Sequence, residues 1–482
     1  MNLSRTRAAR LVVLGLLLSL QGNAVFAQKS KKQDLATLER NLRAEMNFLA
    51  SDALQGRGSG TNYERIAAEF IASQFRQFGL EPAGDPDASG APGFVQRVPM
   101  QSMKFTEAPT LRVIGGTETR SWQFGRDLLV ATMRGAKVAG PLQVGDADAA
   151  LSKGAFVLVR IAADADRQKR QDVARRARAA RVAALVMSET DANKETRAAG
   201  NVPLPNLPNR LGGDAPGDAF ASITVSPEAF NQLASLPAGT QMEFSGPVQV
   251  TDTGSTWNAV GKLPGSDPKL AGEAIFLSAH LDHLGVSNDA NATDKIFNGA
   301  DDDASGCVSV LELARALSSG KRPKRTVYFM CFGSEERGGW GAQYFAAHSP
   351  VAVEKTIADL NFEMLGRPDA KVGADTLWLT GFERTNLGTE LKKRGARLVA
   401  DPHPEQNFFQ RSDNYTLALR GIVAQTVSSY GLHTDYHRTS DEASKIDFAF
   451  MTKSVASMIE PIRWLANSSF RPEWVPGQMP TR

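Results

Sequence analysis

The chain has 482 residues, with 55 Lys and Arg set against 52 Asp and Glu, six His and two Cys. A formal net charge of only +3 excludes the global electrostatic attraction that nucleic-acid or anionic-membrane binders carry. Two Cys exclude a disulfide framework, and the length with its ordinary composition points to two or three domains with real cores.

Arg5, Arg7 and Arg10 precede an apolar run, Leu11 to Leu20, and Val25-Phe26-Ala27 offers small residues for cleavage. This pattern predicts an export signal over residues 1–27, with Gln28 as the new N-terminus. The apolar run is too short to span a bilayer, so no stable membrane insertion is expected after cleavage. The remaining chain then holds 52 basic and 52 acidic residues. Residues 28–36 read as a short polar lead, followed by a helix to about Ala50. A second helix, Glu64 to Phe78, places Ile66, Phe70, Ile71, Phe75 and Phe78 on one face and closes at Gly79. Gly84 to Pro92 is a turn-rich link.

Residues 106–246 form a module of different texture. The run Phe156 to Val159 predicts a strand, Asp172 to Arg181 a helix, and Ala183 to Met187 another strand. Ile223-Thr224-Val225 leads into Ser226-Pro227, an N-cap followed by the first helical position. The arginines between Arg167 and Arg181 read as a solvated helix face, given the neutral total.

From Glu273 onward, the runs Ala274 to Leu277, Val327 to Phe332, Ile357 to Phe362 and Ile422 to Val427 are predicted strands, separated by helical stretches. The first such helix carries Cys307, Leu311, Ala314 and Leu317 as its apolar stripe, with Asp303 or Ser305 as cap and Gly320 as stop. This alternation predicts an α/β domain with a mostly parallel mixed sheet covered by helices on both faces. Cys307 and Cys331 sit in apolar stretches, where free buried thiols are the ordinary state; one bridge between them is the alternative.

The polar residues cluster beyond the strand ends, where open α/β sheets place ligand sites. His280-Leu281-Asp282-His283 follows the first strand, Gly299 to Gly306 with its Asp triplet precedes the helix, and Glu335-Glu336 follows the second strand. Glu363 follows the third strand, and His433-Thr434-Asp435-Tyr436-His437 the fourth. Each piece alone is weak: His-x-Asp pairs are common, and an Asp triplet can be a helix cap. Imidazoles and carboxylates together at strand ends are a donor set that suits catalytic zinc.

In this order the blocks resemble the co-catalytic dizinc aminopeptidases, a family that includes glutamate carboxypeptidase II and the glutaminyl cyclases. Asn361 to Arg367 and the early stretch Leu49 to Arg57 are similar to further signatures of that family, and residues 106–246 resemble the protease-associated domain inserted in some members. The resemblance implies a catalytic domain formed by 28–105 and 247–482. It implies two zinc ions, with Asp302 bridging them, His280 and Glu363 completing one site, and Glu336 and His437 the other. Many members have Asp at the position of Glu363. Glu335 resembles the general base, Asp282 the partner that orients His280, and Tyr436, beside His437, a donor to the developing oxyanion. The implied activity is removal of N-terminal residues from peptide substrates by a water activated between the zinc ions. A carboxypeptidase or dipeptidase on the same scaffold stays open, with a single-zinc glutaminyl cyclase and a non-catalytic binding homologue as further alternatives. His283, His403 and His433 receive no ligand role and read as surface or packing residues. Asn407-Phe408-Phe409 and Arg411-Ser412-Asp413 are candidates either for the walls of a substrate pocket or for a loop anchor.

Overall fold

Strands buried on both faces need apolar side chains at every position, and the runs after Glu273 supply them. The computed structural model describes residues 35–115, 120–161, 167–207, 210–212 and 219–481; the signal expected at 1–27 lies outside them. The described residues form two compact units, one up to Val98 and from Ser255 on, the other Pro99–Gly254.

The first unit begins with α1 (residues 35–49) and α2 (Asn62–Gln77). Thr61 caps α2 by accepting from the Glu64 N–H, and Gly79 just beyond takes a φ of 75° that side-chain-bearing residues avoid. Then come β1 (Val248–Leu263, of which the part from Ser255 on belongs to this unit), β2 (Ala274–His280), α3 (Ser305–Ser318) and β3 (Thr326–Phe332). They are followed by α4 (Trp340–Ala347), β4 (Thr356–Phe362), β5 (Leu377–Leu379) and α5 (Leu387–Lys393). The last elements are β6 (Leu398–Ala400), α6 (Asn414–Ala418), β7 (Ala424–Ser428) and α7 (Phe448–Asn467).

The strands lie in the order β6-β5-β7-β4-β2-β3-β1. The centre is parallel: β2 pairs with β3 and β4, and β4 with β7. The antiparallel pairs β1–β3 and β5–β7 make the sheet mixed. Successive side chains alternate between its faces. Ile275, Leu277, Ala279, Val327, Phe329 and Cys331 join one core with Leu42, Phe75, Val308, Leu311 and Met451 from the helices, whereas Phe276, Tyr328, Met330 and Phe332 join a second with Phe345 and Leu417. The expected α/β sheet with helices on both faces is therefore present. Cys307 and Cys331 are both buried and free.

β2 runs three residues beyond the expected end at Leu277. Ser278 continues the strand because its hydroxyl donates to Asp359 Oδ1 at 2.8 Å, so burial leaves it satisfied. Neither Asp303 nor Ser305 is the N-cap of α3, which starts after Ala304 without a side-chain cap. Asp303 is spread over three backbone donors instead, from His280 (3.2 Å), Gly306 (2.9 Å) and Met364 (3.1 Å). A Cβ at Gly306 would overlap the Phe362 carbonyl and the Asp303 carboxylate, so glycine alone lets α3 begin against the end of β4.

In the second unit a sheet runs through Phe156–Arg160, Ala184–Ser188 and Phe220–Val225, paired in parallel. The helix expected from Asp172 spans Arg167–Ala179. Ser226 caps Pro227–Ala234 by accepting from the Ala229 N–H at 3.2 Å, with Pro227 in the first turn, as the dipeptide predicts. Among the described residues no helix is long and apolar enough to cross a membrane.

Candidate metal centre

The parallel strands end together, so residues just past β2, β3, β4 and β7 meet at one edge. His280 is the last residue of β2. Its Nδ1 faces the Asp282 backbone oxygen at 3.3 Å and the Asp282 carboxylate at 3.7 Å, which turns Nε2 toward Asp302 Oδ1 at 3.1 Å. Asp302 precedes α3, and the Asp302–Asp303 peptide is cis. Its backbone N–H, together with that of Asp301, donates to the buried Asp441 carboxylate at 3.0–3.1 Å. Glu363 follows β4 directly, its N–H held by the Val427 oxygen of β7 at 3.1 Å. Glu336 follows β3, and His437, in the loop beyond β7, places Nε2 3.2 Å from both Asp302 Oδ2 and Glu336 Oε2.

Two groups have donor atoms close enough to hold one cation each. His280, Asp302 and Glu363 form one; His283, Asp302 and Glu336 form the other. Asp302 is common to both, so these are two candidate metal sites sharing a carboxylate. His437 reaches the second group from the side open to solvent; it is 35% exposed where His280 is 1% exposed.

Whether these residues fit metal ions is decided by their unsatisfied atoms. His280 Nε2, both nitrogens of His283, Asp302 Oδ2 and Glu336 Oε1 are buried and make no hydrogen bond among the described residues, although His283 Nδ1 lies 2.9 Å from Glu336 Oε1. Buried polar atoms are normally paired. Atoms that converge without aligning on one another are arranged as ligands are. The mixed imidazole and carboxylate set suits zinc, and the fit is good.

Charge in the cluster is balanced by protons. Burial opposes the imidazolium of His280, yet Asp282 and Asp302 raise its pKa well above the usual value. His437 is pushed up to about 10 by Asp302 and Glu336 against the same opposition. Asp302 stays well below the ordinary carboxylate range despite burial, held there by the two histidines. Burial raises Glu335 and Glu363, with neighbouring carboxylates adding to the effect. Divalent cations binding at these atoms would release the imidazole protons.

Glu335 and Glu336 are anchored through Asp282, whose two oxygens accept their backbone N–H groups at 2.8 and 3.4 Å and the Ser59 hydroxyl at 2.6 Å. Tyr436 stacks on His437 with ring centroids 3.9 Å apart. All eight residues named from the sequence, Glu335, Asp282, Tyr436, His280, Asp302, Glu336, Glu363 and His437, therefore lie at this edge.

His283 does not lie at the surface: it is buried at 1% exposure within the second group. Its place beside Asp282 in His280-Leu281-Asp282-His283 was the available signal, masked because the neighbouring His-x-Asp pair seemed to complete the block. His433 pairs with Asp301 at 2.9 Å, and Arg367 bridges His433 and Asp435. His403 pairs with Asp369 at 2.8 Å. Asp441 carried no motif and was not legible.

Residues 258–462 match the profile of Peptidase family M28. Over that span the chain is similar to peptidase family M28. It is 34% identical over 122 residues to leupeptin-inactivating enzyme 1 of Streptomyces exfoliatus, covering 25% of each chain. It is 31% identical over 172 residues to carboxypeptidase Q of Xenopus laevis, covering 33% of this chain and 34% of the relative. The chain thus spans a quarter to a third of the length of these relatives. Among solved structures, an aminopeptidase from Aneurinibacillus sp. strain AM-1 aligns with a TM-score of 0.48 at 19% identity, covering 92% of this chain and 97% of that one.

Proposed function

We propose that the protein is an exported dizinc aminopeptidase, with residues 1–27 as its export signal. The observation that carries this is the sharing of Asp302 between two groups of buried, unsatisfied imidazole and carboxylate atoms. His280 and Glu363 would hold one zinc with Asp302, and Glu336 and His437 the other, with His283 beside Glu336. When bound, the pair would supply Lewis acidity and lower the pKa of a bound water.

The chain's own residues do the rest. Asp282 fixes the backbone of Glu335, so its carboxylate is delivered to the site by a rigid turn rather than a free loop. Glu335 takes the proton of the attacking water and returns it to the leaving amine. Tyr436, held by stacking on His437, donates to the oxygen on which negative charge develops. The Asp282 oxygens beside His280 Nδ1 keep its proton there and leave Nε2 for the metal.

The similarity to carboxypeptidase Q favours a second reading, cleavage from the other end of the peptide. Aminoacyl-nitroanilides with free and blocked amines, assayed with and without chelator, separate the two. Chelator-sensitive cleavage of the free-amine substrates alone supports the aminopeptidase; cleavage of blocked peptides at their C-terminus overturns it. In Glu335→Gln, zinc content should be retained while turnover falls about a hundredfold or more; unchanged turnover would remove Glu335 from this role.

A further inference from the structure

Beside Glu363 the first unit holds a small pocket that opens to solvent. Its aromatic walls are Trp378, Phe408, Tyr430 and Tyr436, and Arg411 stands among them. Aromatic walls alone would suit an apolar occupant, but the polar groups of the pocket point elsewhere.

Most of its hydroxyls are already engaged. Thr426 donates to Asn414 at 2.9 Å, Ser412 hydrogen-bonds Glu363, and Ser428 donates to the Met364 carbonyl at 3.3 Å. Besides the Tyr430 and Tyr436 hydroxyls, two nitrogen donors stand out. The Trp378 indole N–H is buried, at 2% exposure for the residue, and has no hydrogen-bond partner among the described residues. The Arg411 guanidinium lies over the Phe408 ring, 4.9 Å from its centroid, and forms no ion pair among the described residues. Trp378 stacks on the same Phe408 at 5.4 Å, so both side chains are braced by one ring.

A guanidinium pre-oriented by stacking and free of any protein carboxylate is suited to receive one from a ligand. We propose that this pocket takes an acidic side chain, its carboxylate accepting from Arg411 while the Trp378 N–H satisfies an acceptor oxygen of the same residue. Arg411 is exposed to solvent, so it is the buried Trp378 N–H that an aliphatic occupant would leave unpaired, a situation a polar pocket rejects. As a statement about substrate, glutamyl or aspartyl at the cleaved N-terminus, this rests on the aminopeptidase reading; as a statement about the pocket, it does not.

The test has two arms on the zinc-loaded full chain. Glutamyl-, glutaminyl- and leucyl-nitroanilides are compared by kcat/KM, and L-glutamate, L-glutamine and L-leucine by calorimetric binding. Glutamyl over leucyl by about tenfold or more in either arm, with that ratio collapsing toward one in Arg411→Met, supports the proposal. Turnover that favours leucyl, or a ratio that Arg411→Met leaves unchanged, overturns it while the aminopeptidase stands. Glutamate bound selectively with no nitroanilide cleaved keeps the pocket's preference and overturns the aminopeptidase. Neither cleavage nor selective binding overturns both.

Discussion

Arg57 offers the sharpest test of how the N-terminal segment supports the metal site. It is 1% exposed, and burial lowers its pKa, while Cys307 and the carboxylates of Asp282, Asp303 and Asp302 pull the other way. An arginine keeps its charge even so. Its guanidinium donates to four backbone oxygens: Leu281 at 2.9 Å, Leu49 at 2.5 Å, Asn298 at 2.7 Å and Gly299 at 2.9 Å. These lie next to His280, at the end of α1 and just before the Asp triplet, so one side chain ties three segments together. Arg57→Ala takes the donor away from three of these backbone acceptors, while the Gly299 oxygen keeps the Ala304 N–H at 3.1 Å. Each charge-assisted bond is worth about 1.5–3 kcal/mol, and water entering the hole restores part of that. The expected loss is about 4–6 kcal/mol, at the extreme of single substitutions. For a domain of this size that is a fall of about 10–20 °C in Tm. Arg57→Lys, which brings one ammonium to the same hole, should fall between. Thermal melts read the stability, and chelator competition reads zinc affinity, which should weaken because Leu281, Asn298 and Gly299 flank the proposed ligands His280 and Asp302. A Tm within about 2 °C of wild type, with zinc affinity unchanged, would refute the clamp.

Three further outcomes follow from particular contacts. His283→Ala should weaken zinc binding about 10–100-fold, measured by chelator competition, whereas His403→Ala, in its separate pair with Asp369, should leave it unchanged; equal effects would remove His283 from the site. Asp359 is raised to about 7 by burial, against the Ser278 hydrogen bond. The folded chain then holds a proton that the unfolded chain releases near pH 4, so stability falls as pH rises from about 4 to 7, by up to about 4 kcal/mol. Asp359→Asn should therefore gain on wild type between pH 4 and pH 8 in thermal melts, and a constant difference would contradict this. In the second unit Glu243 is lowered to about 2, chiefly by Lys137, against burial and with help from Ser245 and Arg112. A depressed carboxylate stabilises above its unfolded pKa and loses that contribution as pH falls toward 2. Because Lys137 and Arg112 are 64% and 54% exposed, Glu243→Gln should cost only about 1 kcal/mol at pH 7 and nothing near pH 2; an equal cost at both would refute the pairing.

The architecture was legible because parallel strands buried on both faces write themselves as apolar runs, and because the ligating types stand immediately after those runs. Boundaries were less so. Ser278 and His280 extend β2 only because Asp359 and Asp303, distant in sequence, satisfy them. Asp303 looked like a helix cap since local sequence cannot show that its oxygens serve His280 and Met364. Asp441, which positions Asp301 and Asp302, and the pairing of His433 with Asp301 depend on where the loop beyond β7 returns. No spacing rule encodes that return. The polar character of the pocket came from Trp378, which reads in sequence as an ordinary apolar strand residue.

Elemental analysis of the purified full chain, combined with X-ray absorption at the zinc edge, tests the central claim most directly. Two zinc ions per chain about 3.5–4 Å apart, both bound through nitrogen and oxygen donors and both lost in Asp302→Ala, are the predicted result. Active protein with a single zinc, or with none, would contradict it.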